Sequence, residues 1–137
     1  SIGRTCVALG IRLILIKPYG FEINAKAVRR AGLDYWKYVD ITEYENFEDF
    51  LKEEAPESKQ LLFFENNTEQ NFYQAPYEEN CYLIFGSETK GLPRDFYQRY
   101  KNQMYELPMF SEHIRSLNLS NAATAVTYEC LRHLNRL

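Results

Sequence analysis

Residues 81–93 read CYLIFGSETKGLP. The five positions from Cys81 to Phe85 run without a polar break into a loop bracketed by Gly86 and Gly91 and closed by Pro93. A short, unbroken apolar run bounded by turn residues marks a strand covered on both faces. Similar runs occur at residues 12–16 (RLILI), 60–64 (QLLFF) and 104–107 (MYEL), and a further strand is expected at residues 38–41. Helical patterns lie between them. Residues 24–31 have Asn24 to cap and Gly32 just past the end. Residues 42–54 place Phe47, Phe50 and Leu51 on one face before Pro56, and residues 93–100 start at a proline. Residues 119–134 carry Leu119, Ala123, Val126, Cys130 and Leu134 on one face, with Asn118 or Ser120 as cap. Residues 65–80 are polar and read as a loop with at most a short helical turn. Strands alternating with helices, and apolar throughout, predict an α/β fold with a mostly parallel sheet flanked by helices. In such sheets ligands sit beyond the carboxyl ends of the strands, which singles out the loops after Ile16, Phe64, Phe85 and Leu107.

A chain of 137 residues is expected to form a single domain. Its 45% apolar and 26% charged residues fit a globular protein and exclude a disordered tail. The net charge of −3 excludes a wholly basic nucleic-acid coat but hides a segregation. Residues 40–79 carry 12 acids against two bases, residues 1–39 seven bases against two acids, and residues 80–137 seven bases against five acids. Basic flanks therefore surround an acidic middle, which a solvated surface with no partner would also explain. Cys6, Cys81 and Cys130 are far apart, with no CxxC pair or His/Cys cluster. That argues against a metal site and a disulfide framework, and it fits reduced core cysteines in a cytoplasmic protein. No apolar run reaches the roughly 18 residues of a membrane span, so no membrane partner is expected.

Three segments could carry chemistry. The loop from Gly86 to Gly91 lets backbone approach a ligand closely. It is no Walker A loop, because Leu92 and Pro93 stand where Lys and Ser/Thr are required, and an ordinary strand-to-helix turn has similar glycines. Ser116-Leu117-Asn118-Leu119-Ser120-Asn121 opens the last helix with more small polar side chains than a cap needs, against free backbone N–H groups. Arg4 lies in the small-residue run SIGRTC, where an ordinary surface arginine is the alternative. His113 and His133 suggest no nucleophile–base pair. The aromatic run Tyr35, Trp36, Tyr38 reads as core or interface.

Taken together, these segments resemble the SpoU-type ribose 2′-O-methyltransferases of the SPOUT superfamily. Phe85-Gly86-Ser87-Glu88-Thr89-Lys90-Gly91 matches that family's F-G-x-E-x-x-G, and Ser116-Leu117-Asn118-Leu119-Ser120-Asn121-Ala122 matches its S-L-N-x-S-x-A. Arg4 matches the end of its N-x-G-x-x-x-R; the Asn and Gly of that motif, and the strand before them, are expected upstream of Ser1. Residues 29–40 (RRAGLDYWKYVD) and the short chain look like the small branch that methylates the tRNA wobble ribose.

The resemblance implies one domain over residues 1–137 with a C-terminal trefoil knot from about residue 81, an exception to the rule of un-knotted connections. It also implies S-adenosyl-L-methionine (AdoMet) as cofactor, no metal, a homodimer, and cytidine or uridine at the tRNA wobble position as substrate. Carried over residue by residue, Phe64, Gly86, Glu88, Gly91, Leu107, Leu117 and Asn121 would bind the cofactor. Arg4, Ser116 and Asn118 would serve catalysis, and Arg29, Arg30 and Arg115, with Lys26, would hold RNA phosphate. The family assigns removal of the 2′-hydroxyl proton to the arginine. A guanidinium is effectively always protonated, so stabilising the developing alkoxide or holding a phosphate are the other roles open to Arg4. Methylation of another tRNA or rRNA position, and a non-catalytic RNA- or nucleotide-binding module, are the competing readings.

Overall fold

A computed structural model describes residues 2–17 and 34–136, which fall into two compact units, Ser1–Ala55 and Pro56–Leu137. In the first unit, helix α1 (Ile2–Leu9) ends at Gly10, whose φ of +66° is the left-handed conformation a glycine adopts at no steric cost. Strand β1 (Leu13–Ile16) follows and pairs in parallel with β2 (Ile41–Tyr44), Leu13 opposite Ile41. A 3₁₀ helix, Asp34–Tyr38, precedes β2, and Trp36 packs against Gly3, where a Cβ would stand 3.0 Å from the indole. Helix α2 (Phe47–Glu54) closes the unit. Asn46 caps it by accepting from the Asp49 N–H at 2.8 Å, and left-handed Ala55 ends it. Glu54 accepts from Arg12 at 3.0 Å and from the Tyr44 hydroxyl, which ties α2 to the strands.

Two expectations are corrected here. Residues 38–41 form the end of the 3₁₀ helix and the start of β2, not a strand of their own. Helix α2 starts after Asn46 rather than at Thr42, because Thr42, Glu43 and Tyr44 complete the ladder with β1. A one-sided strand followed by a capped helix mimics a longer helix in its spacing of apolar residues. The helix expected at residues 24–31 lies outside the described residues.

The second unit is built on a four-stranded, all-parallel sheet in the order β4-β6-β3-β5. Its strands are β3 (Leu61–Phe64), β4 (Gln70–Asn71), β5 (Tyr82–Phe85) and β6 (Met104–Glu106). Every residue of β3 is buried, as a central strand covered on both faces requires. Successive side chains point to opposite faces. Phe63 stacks on Tyr100 at 4.4 Å between ring centroids and meets Phe96 of the short helix α3 (Phe96–Arg99) edge-on at 5.6 Å. Leu62 and Phe64 join the opposite cluster with Tyr105, Val126 and Cys130. Val126 and Cys130 come from the last helix, α4 (Leu119–His133), on the stripe that the apolar spacing predicted.

The stretch 65–80 holds more than a loop. It supplies the edge strand β4 and a 3₁₀ turn, and buries Phe72, Ala75 and Tyr77. The Tyr77 hydroxyl donates to the Phe72 carbonyl at 2.6 Å, so its polar tip is satisfied inside the cluster.

The thiols of Cys81 and Cys130 lie 3.8 Å apart, and both cysteines are free. Donation from Cys130 to the Cys81 thiolate holds the Cys81 thiol below the usual cysteine range, while the same contact pushes Cys130 up. Alkylation of Cys81 is therefore expected to rise with pH through a midpoint below that of an ordinary cysteine. Cys130→Ala removes the donor and should move that midpoint up, which mass spectrometry of iodoacetamide-treated protein reads directly.

Candidate active site

The carboxyl ends of β3, β5 and β6 converge with the start of α4 around one cavity of about 500 Å³. This is where a parallel sheet is expected to hold a ligand. Phe64 and Phe85 are the last residues of their strands, and Leu107 follows β6 directly. Met109, Leu117, Leu119 and Ala122 add apolar wall, while Ser116 and Asn118 bring polar groups from the helix start.

The loop after β5 is a clamped turn. Ser87 and Gly91 exchange two backbone hydrogen bonds, at 3.2 and 2.9 Å, and the Ser87 hydroxyl accepts from the Lys90 N–H at 3.0 Å. This brings Gly86 against the far side of its own loop. A Cβ on Gly86 would lie 2.2 Å from the Gly91 carbonyl carbon and 2.4 Å from the Leu92 nitrogen. Gly91 is needed for a different reason, its φ of +69°. The bracketing glycines are therefore a steric requirement of the loop that forms the cavity wall.

Glu65 and Asn66, directly after β3, also line the cavity. Glu65 accepts from the Asn66 backbone N–H at 2.9 Å and from the Tyr97 hydroxyl at 2.7 Å. Burial and that hydrogen bond push the Tyr97 phenol up to about 12, so it remains a donor at neutral pH.

Asn118 is the N-cap of α4; its Oδ1 accepts from the N–H groups of Ser120 at 2.9 Å and Asn121 at 3.3 Å. Its side-chain NH₂ is the part left to donate into the cavity. The two roles separate experimentally. Asn118→Ala should lower stability by about 1 kcal/mol and also impair the site. Asn118→Asp keeps the capping oxygen, so urea unfolding should be close to wild type while the site is impaired through the missing donor.

Eight residues nominated from the sequence thus line one cavity: Phe64, Gly86, Glu88, Gly91, Leu107, Ser116, Leu117 and Asn118. Asn121 does not line it; its backbone N–H donates to the Asn118 cap. Arg115 lines the neighbouring open groove, which shares Glu65, Asn66 and Met109 with the cavity. Arg4 lies on α1 in the first unit, its guanidinium carbon 5.8 Å from the centre of the Tyr35 ring. Arg29, Arg30 and Lys26 lie outside the described residues. Glu65, Asn66 and Met109 lie outside the two motifs and were not nominated, and Phe85, Ser87, Leu119 and Ala122 lie within them but were given no role of their own. The rule that ligands sit beyond strand ends already pointed to the loops holding the first three. Among the described residues no group of three His, Cys, Asp or Glu side chains is placed to hold a metal, and no helix is long and apolar enough to cross a membrane.

A Saccharophagus degradans protein named tRNA (cytidine(34)-2′-O)-methyltransferase is 39% identical over 136 residues, which are 98% of this chain and 86% of that protein. A Lactococcus lactis protein that carries the name provisionally is 40% identical over 135 residues, 96% of this chain and 79% of that protein. A solved structure presented as giving "Structural insights into the 2-OH methylation of C/U34 on tRNA" superposes with a TM-score of 0.83 at 38% identity. It covers 98% of this chain and 86% of that one. The family model described as "SpoU rRNA Methylase family" matches residues 1–128, through both compact units. The motifs read from the sequence, the cavity they build and these likenesses agree: the chain belongs to the SpoU methylase family.

Proposed function

We propose that the chain transfers a methyl group from AdoMet to the ribose 2′-oxygen of a cytidine or uridine at the tRNA wobble position. The observation that carries this reading is the convergence of the F-G-x-E-x-x-G and S-L-N-x-S-x-A motifs on one cavity, in a chain whose relatives are named tRNA (cytidine(34)-2′-O)-methyltransferase.

The cavity suits AdoMet. Its volume of about 500 Å³ falls within the range of small-molecule sites. Phe64, Phe85, Leu107 and Leu117 offer apolar wall for an adenine, and the crowded backbone at Gly86 brings peptide groups to the surface. When bound, AdoMet supplies a methyl group on a positively charged sulfur. The chain's own work is alignment and charge stabilisation. Arg4 is assigned to the developing alkoxide or the adjoining phosphate, and Ser116 and Asn118 to orienting the ribose. Glu88 is assigned to loop geometry and the cofactor pocket. Arg29, Arg30 and Arg115 are assigned to RNA phosphates, with affinity falling as salt rises.

The reading includes one functional domain over residues 1–137 and a trefoil knot in its C-terminal part. Support for the knot comes from β6, which enters between β3 and β4 although they are neighbours in the chain, before α4 packs on β5. It also includes a cytoplasmic homodimer. Phe110, 98% exposed, and the exposed Ile114 and Leu117 offer apolar surface that a second copy would cover. Incubation with methyl-labelled AdoMet and separate tRNA and rRNA pools tests the substrate. Label is expected in tRNA, at the wobble nucleotide; label confined to rRNA or to another tRNA position would replace the substrate, and none in either would refute transfer.

A further inference from the structure

Two carboxylates and no basic side chain line the cavity among the described residues: Glu65 at the end of β3 and Glu88 in the loop after β5. They are not equivalent. Glu88 is exposed, so solvent and salt screen it. Glu65 is half-buried and held at both oxygens, Oε1 by the Asn66 N–H at 2.9 Å and Oε2 by the Tyr97 hydroxyl at 2.7 Å. It also borders the motif loop, because a Cβ on Gly91 would stand 3.1 Å from Oε2. A carboxylate fixed in this way needs little reorganisation when a ligand arrives. In a partly desolvated cavity its field discriminates ligands by charge as well as by shape.

The proposed reaction changes the charge of the molecule in that cavity. The methyl group leaves sulfur without the C–S bonding pair and bonds to the ribose oxygen, whose proton passes to solvent. Sulfur keeps the pair, so a sulfonium becomes a neutral thioether in S-adenosylhomocysteine. Resting on the reading above, we propose that Glu65 is a specificity-determining residue: it makes the cavity favour the sulfonium-bearing donor over its thioether product. Loss of one positive charge then weakens the product's hold and favours exchange for fresh donor. Tyr97 is a positioning residue that keeps the carboxylate in the wall.

Calorimetric titration of the full chain with AdoMet, S-adenosylhomocysteine and sinefungin tests this. Sinefungin carries a protonated amine in place of the sulfonium. Glu65→Gln retains the side-chain shape and an oxygen that accepts from Tyr97. The preference for both cationic ligands over the thioether is expected to fall by about three- to tenfold in Glu65→Gln, with thioether affinity nearly unchanged. Tyr97→Phe, which releases one carboxylate oxygen, should give a smaller fall in the same direction. An equal loss for all three ligands, or an unchanged preference, overturns the role of Glu65 and leaves the cofactor reading standing. Binding of none of the three by the wild-type protein overturns the cofactor reading and this inference with it.

Discussion

Gly86→Ala is expected to abolish measurable AdoMet binding, a loss of a hundredfold or more, and to lower stability by about 3 kcal/mol. The added methyl has no side chain to push aside. Its neighbours at 2.2 and 2.4 Å are backbone atoms of Gly91 and Leu92, locked by the paired Ser87–Gly91 hydrogen bonds. Relief therefore requires opening the loop, and with it the cavity wall. Gly91→Ala makes the contrast. Its Cβ would meet only the end of the Glu65 side chain, at 3.1 Å, which a shift of a few tenths of an ångström relieves, and the cost is mainly that of a left-handed alanine, about 1–2 kcal/mol. Calorimetry with AdoMet and urea unfolding of both variants check the ranking. Wild-type affinity in Gly86→Ala would mean that this loop does not shape the binding site.

Arg4→Ala is expected to lower kcat by about 10²–10³ and to leave AdoMet affinity within about twofold of wild type. The reasoning is chemical. A ribose 2′-hydroxyl is a poor nucleophile, and a fixed cation that stabilises the alkoxide acts in the transition state rather than on the bound cofactor. Arg4→Lys should restore little, because an ammonium lacks the planar donor fork. Single-turnover methyl transfer and cofactor titration separate the two quantities. A large loss of cofactor affinity with kcat preserved would move Arg4 into the cofactor site.

The parts of this fold that were legible in the sequence are those with an unbroken apolar run or stripe. The run ending in Phe64 is a strand buried on both faces, the half-buried run ending in Phe85 pairs with it, and α4 keeps its stripe at Ala123, Val126 and Cys130. The polar stretch 65–80 hid an edge strand. Gln70 and Asn71 pair through backbone groups, and a two-residue edge strand has no side-chain period to read. The start of α2 was misplaced because β2 is half-exposed and its Tyr44 falls in step with Phe47 and Phe50.

At the site, the motif residues were legible as chemistry. Gly86 announced a close approach and Asn118 a cap with something to spare. Glu65 was not, since a lone acid after a strand looks like any solvated acid. Its meaning depends on Tyr97, which lies 32 residues away in the chain and donates to it in space. The proximity of Cys81 and Cys130, 49 residues apart, was hidden for the same reason.

The proposed acceptor is one ribose oxygen at the tRNA wobble nucleotide. It is tested most directly with two synthetic tRNAs identical except for a 2′-deoxyribose at that nucleotide, each incubated with methyl-labelled AdoMet and the protein. Label is expected in the all-ribose tRNA and none in its deoxy counterpart. Equal labelling of the two would contradict it.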